Sequence, residues 1–213
     1  MRQQLTMFAL MTLAASGAAA APLIVSDFSF ENYSVGSGNF QYSNNPSFVA
    51  NYIAGWTFSP GTGITASGSA FQPPTPVDGN QAGILQGNGS SISQFIGGFD
   101  SSFIYTLDIW VGTRYGGGCC DGNAGVTFLI DGVQIGTTGV LPSSTPFTEY
   151  LVPFTVATSG AHSLELVNLS NPGDHTAFVD NVAISSQNSP EPATCAMIGG
   201  ALVALGALRR RRK

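Results

Sequence analysis

Two observations predict an all-β sandwich or barrel. Clusters of Gly, Ser and Asn punctuate short runs rich in Phe, Val, Ile, Tyr and Thr, the signature of many short strands joined by turns. No segment keeps a helical hydrophobic period for more than two turns. Strands are expected near 23–30, 49–58, 82–86, 91–96, 103–114, 124–130, 133–137, 147–157, 162–168 and 176–185.

Each element has a local reason. Asp131-Gly132 between two apolar runs is a two-residue hairpin, because a type I′ turn needs positive φ at both central positions. Asp78-Gly79-Asn80 and Asp121-Gly122-Asn123 read as further turns, and the three prolines within 72–79 make that stretch a loop. The region 34–47 is too rich in Gly, Ser and Asn for a core strand. Alternation assigns the faces: Tyr105, Leu107, Ile109 and Val111 point inward, whereas Asp108, Trp110 and Arg114 point outward. Val126, Phe128 and Ile130 form a second inward set, and Val152, Phe154 and Val156 a third. Trp56, after Gly55 at a strand entry, is expected in the core. Near the end, Phe178, Val182 and Ile184 share one face, and Asp180 is expected to share it.

The two ends differ from the rest. Met1-Arg2, the apolar run Leu5–Ala15 and the small residues Ala18-Ala19-Ala20 have the form of a secretory signal peptide cut after Ala20. At the other end stand Pro190-Glu191-Pro192, an apolar run from Ala193 to Leu208, and Arg209-Arg210-Arg211-Arg212-Lys213. As a helix the apolar run rises ~24 Å, short of the ~30 Å hydrocarbon core of a bilayer, and the basic cluster should stay cytoplasmic. The expected organisation is a signal peptide over 1–20, one domain over 21–185, a linker at 186–189 and a tail over 190–213. The domain is flanked by an N-terminal signal helix and a C-terminal hydrophobic helix.

Removing the ends exposes the charge pattern. Between them Arg114 is the one Lys or Arg, against eleven of the twelve acids, ten net negative charges. Nucleic acid is thereby excluded as a partner, because phosphate binding needs a basic footprint.

The three-part tail closely resembles the PEP-CTERM sorting signal of Gram-negative bacteria, whose Pro-Glu-Pro triplet is read by a membrane protease-transpeptidase, an exosortase. The resemblance implies the export machinery and an exosortase as partners. It also implies passage through the inner membrane and delivery to the cell surface or extracellular matrix. The domain itself, from Ser26-Asp27-Phe28-Ser29-Phe30-Glu31 and Gly55-Trp56 through Ile92-Ser93-Gln94-Phe95, Tyr105-Thr106-Leu107 and Phe154-Thr155-Val156 to Ala177-Phe178-Val179-Asp180-Asn181-Val182, is similar to galactose-binding-like jelly rolls. That family includes many carbohydrate-binding modules, so the expected fold is a jelly-roll sandwich of about eight to ten strands.

Such jelly rolls often hold a structural calcium between an N-terminal Glu and a C-terminal Asp. Glu31 and Asp180 match those positions, with Asp27 a third ligand. The alternative is that Asp180 accepts backbone N–H bonds. The outward Asp108, Trp110 and Arg114, with Tyr115 following, form a candidate glycan platform, since aromatic faces stack on sugar rings; alternatively Trp110 is core and Arg114 balances local acids. Cys119 and Cys120 either form a strained vicinal bridge, stay reduced or pair with another chain. His162 and His175 are isolated and expected to be structural or solvated.

No nucleophile elbow, metal-protease helix or phosphate loop is present. Glu31, Glu149 and Glu165 have nothing to recommend them as a glycosidase pair. The sequence thus points to an exported, non-catalytic module that binds carbohydrate or exopolysaccharide. The alternative is a structural surface or biofilm-matrix protein with no small ligand.

Overall fold

A computed structural model of the 213-residue chain describes residues 23–45, 55–116 and 123–188. Eleven strands occur among them: β1 (Phe40–Tyr42), β2 (Thr57–Phe58), β3 (Thr62–Ala66), β4 (Gln81–Gln86), β5 (Ser91–Phe99), β6 (Phe103–Thr113), β7 (Ala124–Ile130), β8 (Val133–Thr137), β9 (Thr148–Phe154), β10 (Gly160–Ser170) and β11 (Thr176–Asn188). They form two antiparallel sheets, ordered β1-β3-β4-β11-β6-β9 and β2-β5-β10-β7-β8. No helix occurs among the described residues, and both expected flanking helices lie outside them.

The alternation that marks β6, β7 and β9 in the sequence builds the core. Tyr105, Leu107, Ile109 and Val111 from β6 meet Val126, Phe128 and Ile130 from β7 and Leu164 and Leu166 from β10 in one continuous cluster. Trp56 joins it as expected, stacked on Phe30 at 5.4 Å with its Nε1–H donating to the Asp27 carbonyl at 3.0 Å. At the β7–β8 hairpin Asp131 and Gly132 have φ of 50° and 76°, the two positive values a type I′ turn requires.

Three departures from the expected strands have local causes. Residues 26–30 turn rather than extend, with Asp27 and Phe30 at φ of 47° and 60°. Gly-rich 34–47 nevertheless contributes β1, a three-residue edge strand whose side chains are at best half-buried, where apolar content matters little. β3 was unmarked by alternation because it is buried on both faces.

A fourth departure bears on function. Asp180 is not on the inner face with Val182 and Ile184. Along β11, Asp180 pairs with Trp110 while Ala183 pairs with Asp108, so β11 carries one extra residue there. Asn181, at φ 48°, is the kink of this β-bulge. An extra residue inverts alternation, so Ala177 and Val179 point inward before the bulge and Val182 and Ile184 after it. Phe178 and Asp180 therefore face the other side of the six-stranded sheet.

Leu107 is fully buried at the centre of the core. Leu107→Ala should cost roughly 2–5 kcal/mol through lost burial and the cavity left behind, read from urea unfolding of the purified protein.

Candidate functional site

The outer face of the six-stranded sheet gathers the chemistry. Strand registers arrange its centre in two rows: Asp180, Trp110 and Glu149 across β11, β6 and β9, and beside them Ala183, Asp108 and Leu151. Directly opposed residues on antiparallel strands bring their Cβ atoms to within about 5 Å. Trp110 therefore has a carboxyl-bearing neighbour on each flank, and Asp108 two residues before it on its own strand.

Asp108 is the unusual member. Its Oδ1 is buried and has no hydrogen-bond partner among the described residues. Burial pushes its carboxyl above the ordinary carboxylate range, and the negative charge of Glu149 pushes the same way. Ala183 beside it lines a shallow groove of about 350 Å³ whose other walls are Leu23, Ile24, Val25, Phe28, Asn181, Val182 and Ile184. Asp108 thus registers with one wall residue of this groove, and Trp110 is half-buried next to it.

Beyond Trp110 the face is covered by the segment 67–80. Phe71 packs edge-on against Phe40, Tyr42 and Phe178 at 4.8, 5.6 and 6.5 Å. Pro74 lies over Gly112, where an added Cβ would come within 3.1 Å of its Cγ. Asp180 Oδ2 accepts the N–H of Val77 at 2.7 Å and of Asp78 at 3.2 Å, and its Oδ1 that of Asn181 at 2.8 Å. Asp180 is fully buried, and that burial pushes its carboxyl up to about 6, with Asp78 adding to the effect and the three N–H bonds opposing it. Glu31 Oε1 holds the far end of the segment by accepting from Asn80 and Gln81, both at 2.6 Å.

Arg114 is spent on the same cover. Its guanidinium lies 4.8 Å over the Phe71 ring, Nη2 donates to the Ala70 carbonyl at 3.1 Å, and Nη1 is 3.7 Å from Asp174. It leaves the Asp108–Trp110 pair without the paired guanidinium that a glycan platform was expected to use. Tyr115 lies past the end of β6, 63% exposed. Cys119, Cys120 and the tail residues Pro190, Glu191, Pro192 and Arg209–Lys213 lie outside the described residues.

The calcium expectation meets a different donor set. Glu31 and Asp180 both act on the 77–81 loop, but the groups facing them are N–H donors, whereas calcium takes six to eight oxygens. Asp27 Oδ1 accepts the Asn32 N–H at 2.9 Å. No group of three or more His, Cys, Asp or Glu side chains suited to a metal occurs among the described residues. As arranged, the carboxylates fit a loop clamp rather than a cation cage, which is the backbone-bonding alternative for Asp180. His162 is structural: Nδ1 meets Asp131 Oδ2 at 2.5 Å and Nε2 the Thr158 carbonyl at 2.8 Å, and the Asp131 hydrogen bond raises the imidazole above its ordinary value.

Glu149 was missed as a neighbour of Asp108. Alternation in β9 already puts it on the outward face, but only the β6–β9 pairing places it beside Trp110.

The chain matches the family model HpiC1-like, described as HpiC1 cyclase, over residues 21–185. It belongs to that family. Solved structures with the same fold are an apo cyclase from Fischerella sp. (13% identity, 81% of this chain and 99% of that one, TM-score 0.59) and a cyclase from Fischerella sp. TAU (16%, 81% and 100%, TM-score 0.58). The second also appears in complex with 4-(1H-indol-3-yl)butan-2-one (15%, 81% and 100%, TM-score 0.57). These likenesses carry the sandwich fold. No curated protein matches the chain. Membership in a family of cyclases overturns the expectation of a protein without catalysis. Absence of the common hydrolase motifs excluded only chemistries that use them.

The charge on Asp180 has a calculable consequence. Its folded value of about 6 lies above the ordinary 3.8, so the folded state holds the proton more tightly than the unfolded one. Its stabilising contribution is present below pH ~4 and is lost as pH rises through ~6. Relative to Asp180→Asn, which does not titrate, the wild-type protein should gain roughly 2 kcal/mol of stability between pH 7 and pH 4. Urea unfolding of both proteins across that range measures it, and a flat difference would contradict the assignment.

Proposed function

We propose that the protein is an exported enzyme that closes a ring in an apolar, unsaturated substrate on the outer face of the six-stranded sheet. The observation that carries this is Asp108, a carboxyl with a buried oxygen that has no partner among the described residues and a raised proton affinity, two residues from the aromatic Trp110 and paired with Ala183 of a mostly apolar groove. Family membership supports a cyclisation, and an indole ligand in one cyclase of the same fold supports an aromatic substrate.

The chain's own residues suit an acid-initiated isomerisation. Asp108, protonated, gives its proton to a substrate double bond. An electron-rich carbon or ring of the same substrate attacks the resulting cation, closing the ring. The adduct then returns a proton to the Asp108 carboxylate. Atoms and electrons balance, and the mass of the substrate is unchanged. Trp110 offers the cation a π-face. Proton donors of this kind typically contribute ~10²–10⁴ in rate.

Incubation with a panel of alkenyl-substituted indoles, followed by chromatography and mass spectrometry, should reveal ring-closed products of unchanged mass. Asp108→Asn should lower their formation at least about 100-fold. No isomerised product, or equal turnover by the variant, would end the proposal.

A polysaccharide is the second ligand class, supported by half-buried Trp110 and the exposed Glu149 carboxylate beside it, which can accept hydrogen bonds from sugar hydroxyls. It has the weaker support, because Arg114 is engaged elsewhere. For location, the ordered Pro-Glu-Pro, apolar and basic parts of the tail support sorting by an exosortase after export. Alanines at Pro190, Glu191 and Pro192 should leave the precursor unprocessed in its host, seen as an unshifted band. Normal processing would count against that route.

A further inference from the structure

Away from the outer face, one end of the sandwich gathers three turns around His162. They are the β5–β6 turn at 100–102, the β7–β8 turn at Asp131-Gly132 and the turn at 155–159 between β9 and β10. Asn188, the last residue of β11, pairs with Phe103 at the same end. His162 is buried there, just past an irregularity in the pairing of β5 with β10, and its ring stands edge-on to Phe99 at 5.2 Å. Nδ1 meets Asp131 Oδ2 at 2.5 Å, and Nε2 meets the Thr158 carbonyl at 2.8 Å. Both partners are acceptors, since the His162 hydrogen bond holds the Asp131 carboxyl below its ordinary range and a carbonyl oxygen has no proton to give. A neutral imidazole has one N–H, so it can satisfy one of the two and must turn a lone pair on the other. The two contacts together require the imidazolium.

The surroundings set which contact yields first. Asp131 is fixed independently: its Oδ1 accepts the Ser163 N–H at 2.9 Å, and its own N–H donates to the Ser163 carbonyl at 2.9 Å. The 155–159 turn has a second polar tie at the surface, where the Ser101 N–H donates to Ser159 Oγ at 3.0 Å. From the elements packed around the ring, Asp131 supplies the facing charge, β5 supplies Phe99, and the 155–159 turn supplies a carbonyl. Asp100 on the β5–β6 turn is bonded to Ser102, and Glu165 on β10 itself lies on the opposite face of the strand.

We infer that His162 is a pH-operated clasp, which as an imidazolium ties the 155–159 turn to the β7–β8 hairpin and on losing its proton releases Thr158 while keeping Asp131. A hydrogen bond to an ionised acceptor is the stronger of the two, so the remaining proton stays on Nδ1 and the Nε2 lone pair is left against the carbonyl. The Asp131 hydrogen bond raises the imidazole above its ordinary 6.5, with burial opposing it. A raised folded value means that the stabilisation is fully present below pH 6.5 and is lost as pH rises through the folded value. The clasp is closed in mildly acidic solution and opens toward alkaline pH, independently of any chemistry on the outer face.

The test is a long-range ¹H–¹⁵N NMR titration of the purified protein from about pH 5 to about pH 9, which reads each ring nitrogen separately. A local readout is needed because Asp180 also titrates within this range. At the acid end both His162 nitrogens should carry protons. Nε2 alone should lose its proton, at a midpoint above the ordinary histidine value, and the Ser159 amide should shift with the same midpoint. Asp131→Asn, whose side chain tolerates the left-handed φ of 50° at that turn, should lower the midpoint. His162→Asn should abolish the Ser159 titration. A neutral form protonated on Nε2, a midpoint at or below the ordinary value, a midpoint unmoved by Asp131→Asn, or a Ser159 shift that survives His162→Asn would each overturn the inference.

Discussion

A single inserted residue in the last strand governs the arrangement of the molecule. Without the bulge between Asp180 and Ala183, alternation along β11 would put either Val179 or Val182 outside the core, each a fully buried side chain. With it, both ends of the strand bury their apolar residues and Asp180 is delivered to the outer face. There it finds the amides of Val77 and Asp78, and the carboxylate that would have been an uncompensated charge between the sheets becomes an anchor. The cover over half of the outer face depends on that anchor, together with Glu31 at one side and Phe71 with Arg114 at the other.

The cover in turn defines what stays open. Segment 67–80 occupies the part of the sheet around Phe178 and Gly112, leaving Trp110, Asp108, Glu149 and Leu151 on the uncovered part. Holding the cover also consumes the guanidinium of Arg114. In a domain with eleven acids and one arginine, committing that cation to a structural contact leaves the acids of the open face unneutralised. A desolvated carboxyl beside a like charge holds its proton more firmly. The electrostatics of the site thus descend from a packing decision made on the neighbouring part of the sheet.

Much of this was present in the sequence in local form. The alternation over 105–111 and 126–130, the Asp131-Gly132 turn and the lack of helical period determined a sandwich, and also which side of β6 carries Asp108 and Trp110. Composition alone determined that the domain is acidic, because charge is additive and needs no fold. Local pattern is enough for such properties, since the period of a strand and the φ of a turn are set by neighbours in the chain.

What the tertiary structure decided were the properties that depend on pairing. Asp180 changed faces because a bulge is one residue long and leaves no composition signal. Arg114 left the ligand platform because Phe71, Ala70 and Asp174 come to it from segments 40 to 60 residues away in either direction. Glu149 joined Asp108 only through the pairing of β6 with β9. Strand register across a sheet, unlike alternation within a strand, is fixed by which apolar faces must be buried together, and that is a property of the whole core.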